Sequence, residues 1–138
     1  MTAFQPRPTA LTLPFWEAAR DGRLVLTRCP RCREWEHPPL ERCRSCATPL
    51  VPEDAPMGGV IYSTTTTYHR AVPLYEPPYA VAVVEVGGTG GPRVVVRVVD
   101  SDPAETEPGT PVRIEMRELP GGDFRVPVAI VDPSKGDA

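Results

Sequence analysis

The sequence predicts a mainly β protein, in which a short N-terminal helix and a small cysteine-organised module precede a five-stranded barrel. Three observations support this fold class. Nineteen prolines and eleven glycines among 138 residues argue against long helices and favour short strands joined by turns. Two closely spaced cysteine pairs lie in the first third of the chain. Five strand-like runs follow them, and a hydrophobic content of 41% suffices for a packed core.

The N-terminal segment, residues 1–22, is expected to be a loose arm followed by a short helix. The arm contains prolines and shows no helical periodicity. Thr12 can cap the helix, which then has a proline in its first turn and ends at Gly22.

This helix is predicted to have one apolar face, because Phe15, Ala18 and Ala19 stand at positions i, i+3 and i+4. About two turns of helix are not stable alone. The helix must therefore dock, either within its own chain or, through Phe15 and Trp16, on a partner protein.

The cysteine-organised module is expected over residues 23–52. The run RLVLTR at 23–28 is typical of a strand that leads into the first cysteine pair. The tract VPEDAPMGG at 51–59 predicts a linker, so a module boundary is placed there. The barrel is expected over residues 58–132, and the polar tail at 133–138 is expected to be disordered.

Five runs of strand-like composition follow the predicted linker. The second and third are nearly continuous valine and alanine, as in strands that are covered on both faces or close a barrel, and the fourth alternates between apolar and charged residues. Five short strands with one longer connection favour a closed barrel of the oligonucleotide/oligosaccharide-binding (OB) type over an immunoglobulin-like sandwich, which usually has about seven strands. The runs lie at 60–69, 79–86, 93–100, 111–119 and 124–131.

The four cysteines have the spacing of a zinc site. Cys29 and Cys32 form one C-x-x-C pair, and Cys43 and Cys46 form a second after ten intervening residues. Two such pairs form facing knuckles that supply four thiolates at tetrahedral geometry. Four protein ligands leave no coordination position for a catalytic water, so the predicted zinc is structural.

Other states of these cysteines are compatible with the pattern. No signal-peptide core and no long apolar stretch is present in the sequence, so a reducing cytoplasm is the expected location. There, close cysteine pairs hold a metal more often than they form disulfides. An iron centre uses the same ligand set, and His37, which lies between the pairs, could replace one cysteine.

No motif of the sequence predicts an active site. His69 ends the first barrel strand, and no serine, cysteine or carboxylate is placed by a motif to act with it as a nucleophile–base pair. The glycines do not follow phosphate-loop or dinucleotide spacing. The chain is therefore expected not to be an enzyme on its own.

The order of these features resembles one known family. The run PFWEAARDGRLVLTRCPRC is followed by HPPLERCRSC, a linker, GGVIYSTTTTYH, PPYAVAVVEV and GTPVRIEM. Over residues 12–131 the chain is similar to acyl-CoA-associated proteins in which a rubredoxin-like zinc ribbon precedes an OB-fold (domain of unknown function 35). Members often have glycine directly after the second cysteine of each pair, where this chain has Arg33 and Ala47.

The resemblance implies a non-catalytic subunit that accompanies an enzyme acting on acyl-CoA. Such enzymes have the thiolase fold, as in thiolases, hydroxymethylglutaryl-CoA synthases and the aldolases of steroid side-chain degradation, or are hydratases. The helix, the ribbon and one barrel face would contact the enzyme in a hetero-oligomer. An acyl-CoA would lie near the ribbon–barrel junction, with Arg70, Arg93 and Arg97 as candidate contacts to its phosphates.

A single-stranded nucleic-acid binder is the alternative hypothesis, because zinc ribbons and OB barrels both serve that role. The net charge of −3 argues against it, since such a groove is usually basic. The aromatic side chains available for base stacking are Tyr62, Tyr68, Tyr75 and Tyr79.

Overall fold

The computed structural model describes residues 3–132, which contain one short α-helix and eight strands. The tail at 133–138, which is predicted to be disordered, lies outside the described residues. A 3₁₀ turn at Pro103–Glu105 separates the sixth strand from the seventh. The elements are α1 (Leu13–Arg20), β1 (Val25–Arg28), β2 (Trp35–Glu36), β3 (Val51–Asp54), β4 (Gly58–Thr67), β5 (Tyr79–Val86), β6 (Arg93–Val98), β7 (Pro111–Glu118) and β8 (Arg125–Val131).

Strands β4 to β8 form a closed barrel in the order β4-β5-β6-β8-β7, which confirms the predicted fold class. The paired strands are antiparallel except β6 and β8, which run parallel. The long strand β4 pairs with β5 along its length and with β7 at its start, and so closes the barrel. A register shift between Ile61 and Ser63 marks a bulge, which lets β4 bend between these two partners.

The barrel interior is filled by small side chains at alternate positions of β5 and β6. The valine-rich run of β6 does not reflect two covered faces, because the outward Val95 is 69% exposed, whereas the outward Val81 and Val83 of β5 are half-buried. The strands instead bury one row each and keep a partly apolar outer row. The buried row consists of Ala80, Ala82, Val84 and Val86 from β5 and Val94, Val96 and Val98 from β6.

The ribbon and the barrel share one hydrophobic core. Strands β1, β2 and β3 form a separate three-stranded sheet in the order β2-β1-β3. Leu24 and Leu26, which lie before and within β1, are nevertheless fully buried in the same cluster as Ile61 and Val84 of the barrel. Phe15 of α1 packs against this cluster. The ribbon and the helix are therefore held on the barrel by apolar packing.

The prediction of a linker at 51–59 is wrong for the first four residues, which form β3 and pair antiparallel with β1. Proline and carboxylates are poor strand formers, so the composition of this tract indicates a loop. β3 is an edge strand, where the missing N–H of Pro52 is tolerated. Glu53 is held by Arg28, whose Nη1 donates to its carboxylate at 2.8 Å. Only residues 55–57 connect the ribbon sheet to the barrel.

The helix lies where the sequence predicts it, but its expected cap is absent. Thr12 precedes α1 with helical dihedral angles (φ −93°, ψ −14°) and makes no side-chain cap bond. Its hydroxyl oxygen accepts the N–H of Thr9 at 2.8 Å instead. A cap residue normally has β-region dihedrals, which aim its oxygen at the first helical amides. The predicted end is correct, since Gly22 follows the helix with a left-handed φ of 79°.

The burial of β5 and β6 predicts a strong contrast between two valine-to-alanine substitutions. Val84→Ala removes two methyl groups from a fully buried side chain and should lower the free energy of unfolding by on the order of 2 kcal/mol. Val95→Ala on the neighbouring strand should change it by less than about 0.5 kcal/mol, because that side chain is largely exposed. Urea denaturation of both variants measures the two changes in the free energy of unfolding. Equal changes would contradict the assignment of Val84 to the inward row and Val95 to the outward row.

Candidate functional site

Each cysteine pair occupies a tight knuckle. The carbonyl of Cys29 accepts the N–H of Arg33 at 2.9 Å, and the N–H of Cys32 donates to Cys29 Sγ at 3.4 Å. In the second knuckle the carbonyl of Cys43 accepts the N–H of Ala47 at 2.9 Å. Arg33 and Ala47 have left-handed φ values of 63° and 61°, which glycine adopts without strain. The two knuckles therefore have matching geometry without the usual glycines, at the expense of local backbone strain.

The knuckles bring all four cysteine sulfurs together. The Sγ atoms lie within 4.8 Å of one another, with 3.6 Å between Cys29 and Cys46 and 3.4 Å between Cys32 and Cys43. A tetrahedral zinc with Zn–S bonds of about 2.3 Å separates its sulfurs by about 3.8 Å. Cys29 and Cys43 are buried, whereas Cys32 is exposed. The arrangement is a four-cysteine metal site at the tip of the ribbon.

The thiols of this cluster compete for negative charge. The backbone N–H of Cys32 lowers the pKa of the Cys29 thiol to about 6. The backbone N–H of Glu34 favours the Cys32 thiolate, but the nearby Cys43 and Cys29 sulfurs together with desolvation outweigh it and raise the pKa of the Cys32 thiol to about 12. A divalent cation among the sulfurs allows all four thiolates to form. The donor set thus fits a structural zinc ion with a closed coordination sphere.

His37 belongs to a different site. It is not part of the sulfur cluster, so it does not replace a cysteine there. Its Nδ1 is buried and has no hydrogen-bond partner among residues 3–132. Burial also lowers the pKa of the imidazole, which favours the neutral form near pH 7. The ring lies 6.1 Å from that of Phe15, centroid to centroid.

An apolar cleft of about 430 Å³, the junction cleft, lies where α1, the ribbon and the barrel meet. Its aromatic walls are Phe15 and Trp16, and its polar groups include the His37 imidazole and the Arg97 guanidinium. Clefts of this size and composition are typical of small-molecule sites. The remaining lining comes from Thr12, Pro38, Pro39, Tyr75, Val95, Val96 and residues 126–128.

Of the three arginines predicted to contact a phosphate, Arg97 lies at the junction cleft. The central carbon of its guanidinium is 4.2 Å from the centroid of the Tyr75 ring. No carboxylate within salt-bridge distance of Arg97 is found in the part of the chain that the structure describes. Stacking leaves the edge of the guanidinium available for an anion.

The other two arginines are paired with carboxylates outside the junction cleft. Arg93 lies 3.7 Å from Glu85 and stacks on Tyr62, with 3.6 Å from its guanidinium carbon to the ring centroid. Arg70 forms an ion pair with Glu76. The structure thus does not gather the three side chains into one anion site, and their proposed contacts with phosphate remain predictions.

The sequence indicates Tyr75 only as one of four tyrosines available for base stacking, and not as part of a cleft beside the helix. This residue lies between β4 and β5, packs edge-on against Tyr79 at 5.6 Å and supports Arg97. The loop between the first two barrel strands borders the ligand-binding face of OB-folds, and this position is the signal that points to Tyr75.

Two family models match the chain. The ChsH2 rubredoxin-like zinc ribbon domain matches residues 16–52, and the ChsH2 C-terminal OB-fold domain matches residues 53–117. The first match contains all four cysteines, and the second contains most of the barrel.

Individual proteins match as well. A "Probable enoyl-CoA hydratase alpha subunit" from Thermomonospora curvata is 37% identical over 119 residues, which is 84% of this chain. The chain spans only 37% of the length of that relative. Among solved structures, a chain of the "Ltp2-ChsH2(DUF35) aldolase" superposes with a TM-score of 0.82 at 32% identity, covering 92% of this chain and 98% of that one.

Within residues 3–132, no helix is long and apolar enough to cross a membrane.

The metal site predicts that Cys43→Ser will lose zinc and unfold the ribbon. Three remaining thiolates bind zinc more weakly, and residues 29–46 have little core of their own to replace that stabilisation. The zinc content, measured by metal analysis, should fall from about one zinc per chain to well below that. Thermal unfolding should begin at a lower temperature. Ser45→Ala, in the same knuckle but outside the sulfur cluster, is the control and should retain its zinc. A Cys43→Ser protein that is compact and equally stable would contradict the structural role.

Proposed function

The chain belongs to the ChsH2 family of zinc-ribbon and OB-fold proteins, and we propose that it is a non-catalytic accessory subunit of a lyase complex acting on acyl-CoA. The observation that carries this proposal is the match, over nearly the whole of both chains, to a chain of the "Ltp2-ChsH2(DUF35) aldolase". The fold agrees with that chain, and the family models match a ChsH2 zinc ribbon followed by a ChsH2 OB-fold domain, so a similar place in an enzyme complex is the simplest inference.

The partner we propose is an enzyme of thiolase or hydratase fold, in a hetero-oligomer. The hydratase alternative is supported by the curated relative, whose name is that of an enoyl-CoA hydratase subunit. Both assignments share a substrate class, since thiolase-type and hydratase-type enzymes act on acyl thioesters. An aldolase of steroid side-chain degradation is one member of this class.

The chemistry of the zinc site supports a non-catalytic role for this chain. Four thiolates fill a tetrahedral zinc and leave no position for water or substrate. The Nδ1 atom of the half-buried His37 has no hydrogen-bond partner in residues 3–132, so no carboxylate orients this ring as an acid–base pair requires. The catalytic groups would accordingly be supplied by the partner enzyme.

Acyl-CoA handling is the second part of the proposal, and the junction cleft is its site. The apolar walls suit an acyl or pantetheine chain, and the Arg97 guanidinium suits a phosphate at the edge of the cleft. Arg70 and Arg93 could contribute only after exchanging their carboxylate partners.

The accessory role predicts a stoichiometric complex. A tagged chain, purified from its native cell, should recover a thiolase-fold or hydratase-fold enzyme in near-equal amount. That enzyme alone should have low lyase or hydratase activity, and adding this chain should raise it at least tenfold, whereas the chain alone should turn over no acyl-CoA. Recovery of no enzyme, or of single-stranded nucleic acid alone, would overturn the proposal.

The cleft assignment predicts that acyl-CoA binding depends on Arg97. With octanoyl-CoA as the probe, Arg97→Ala should weaken binding about tenfold, because a charge-assisted bond to phosphate is lost. Calorimetry, with both the isolated chain and the reconstituted complex, measures this affinity. Arg113→Ala, which removes an exposed arginine of β7 outside the junction cleft, is the matched control and should bind normally. Equal affinity of the two variants would contradict Arg97 as the phosphate contact.

A further inference from the structure

Strand β6 has an open edge. It pairs with β5 along its whole length, from Arg93 to Val98. On its other side it pairs with β8 only through Arg97 and Val98, at the end of the strand. Within the described residues, Arg93 to Val96 therefore have a strand neighbour on one side alone. The barrel is closed as a ring of strands but is split along this part of β6.

The backbone groups of Val95 point toward this split. In an antiparallel ladder, successive residues direct their N–H and C=O groups to alternate sides. The carbonyl of Pro92 accepts a hydrogen bond from β5, and the N–H of Val99 donates to Ala129 of β8. Even-numbered residues of β6 therefore bond to β5, whereas odd-numbered residues face the β8 side. Val95 consequently presents an N–H and a C=O without a strand partner.

The side chains along this edge are apolar in the centre and cationic at both ends. Val95 is 69% exposed and lies directly opposite Val83 of β5. Arg93 stands two positions before Val95 and Arg97 two positions after it, so all three share the outer face. Arg97 and the exposed Val95 also line the junction cleft, so the cleft opens beside the edge.

This edge lacks the protection that the ribbon's own edge strand has. β3 presents a proline and two carboxylates, which discourage strand pairing. β6 presents three valines in succession at its centre. An exposed valine with unpaired backbone groups is suited to the addition of another strand.

We propose that the open edge of β6 receives an extended segment of the partner enzyme by strand addition. This inference rests on the proposed accessory role and names the surface through which that role is exerted. The segment has an apolar side chain opposite Val95 and a carboxylate opposite Arg93, since cross-strand pairs of opposite charge are favourable. The position opposite Arg97 is occupied by Val128 of β8, so the segment ends before Arg97.

A second copy of this chain is a poorer occupant. If two β6 edges paired antiparallel about Val95, Arg93 of each copy would need the position opposite Arg97 of the other, which Val128 of β8 already occupies. Like charges directly opposite one another also destabilise a strand pair. The occupied position and the charge pattern therefore favour an acidic–apolar segment of another protein over self-association.

The decisive measurement is residue-resolved hydrogen–deuterium exchange on the metal-loaded chain, free and bound to the recombinant enzyme that co-purifies with it. In the free chain the Val95 amide should exchange rapidly, whereas the Val94 and Val96 amides are protected by β5. In the complex the Val95 amide should become at least tenfold slower. A complex in which it continues to exchange rapidly overturns strand addition but not the accessory role.

Substitutions test the same edge independently. Val95→Pro removes an N–H of the open side, leaves the N–H groups that bond to β5 in place, and should weaken partner binding at least tenfold. It also restricts the backbone at residues 94 and 95. Val95→Thr keeps the backbone N–H and the side-chain shape and should bind nearly as wild type. Arg93→Gln should also weaken binding, and Arg113→Gln on β7 should not. If Val95→Pro does not fold, the exchange measurement on the wild-type protein decides.

Two further outcomes separate the hypotheses. Protection of the Val95 amide in the concentrated chain alone, together with a dimeric mass in light scattering, would assign the edge to a second copy and overturn a partner segment. Failure to form any enzyme complex would overturn the accessory role itself, and with it this inference.

Discussion

The burial of two leucines from the ribbon in the core of the barrel determines most of the architecture. Leu24 and Leu26 lie at the beginning of the ribbon sheet, and their side chains are fully buried against barrel residues. The same strand, β1, leads directly into Cys29 at its other end. One short strand thus connects the apolar core with the metal site, so that zinc and packing stabilise the same element from opposite ends. Because the ribbon is fixed in this way, α1 and the loop at 37–39 are held over β6 and β8, and the junction cleft is formed between them.

What the sequence predicts correctly is local in character. The spacing of Cys29, Cys32, Cys43 and Cys46 encodes two knuckles, and the strand-like runs correspond to barrel strands within a few residues at each end. The helix is likewise visible from its apolar spacing, although the dihedral angles of Thr12 prevent the expected cap. Each of these features depends on neighbours a few positions apart, which a single sequence displays.

The features that the sequence does not predict depend on distant neighbours. β3 is a strand because Arg28 and β1 pair with it, whereas its own composition resembles a loop. The junction cleft is assembled from segments near residues 15, 37, 75, 96 and 127, and no motif connects them. The run RVVVRVV has the same appearance whether its outer face is covered or exposed. Only the register with β8 shows that this strand has an open edge.

The open edge and the junction cleft adjoin one another, and this bears on what an accessory subunit contributes. Val95 belongs to both, since its backbone faces the split of the barrel and its side chain lines the cleft. A partner segment added to β6 would therefore also form part of the cleft wall and reduce its exposure to water. A ligand bound there would then contact both proteins, and its affinity would depend on assembly. Under the proposed function, this chain would thus supply part of a site that is completed on assembly, while the reacting groups remain those of the enzyme.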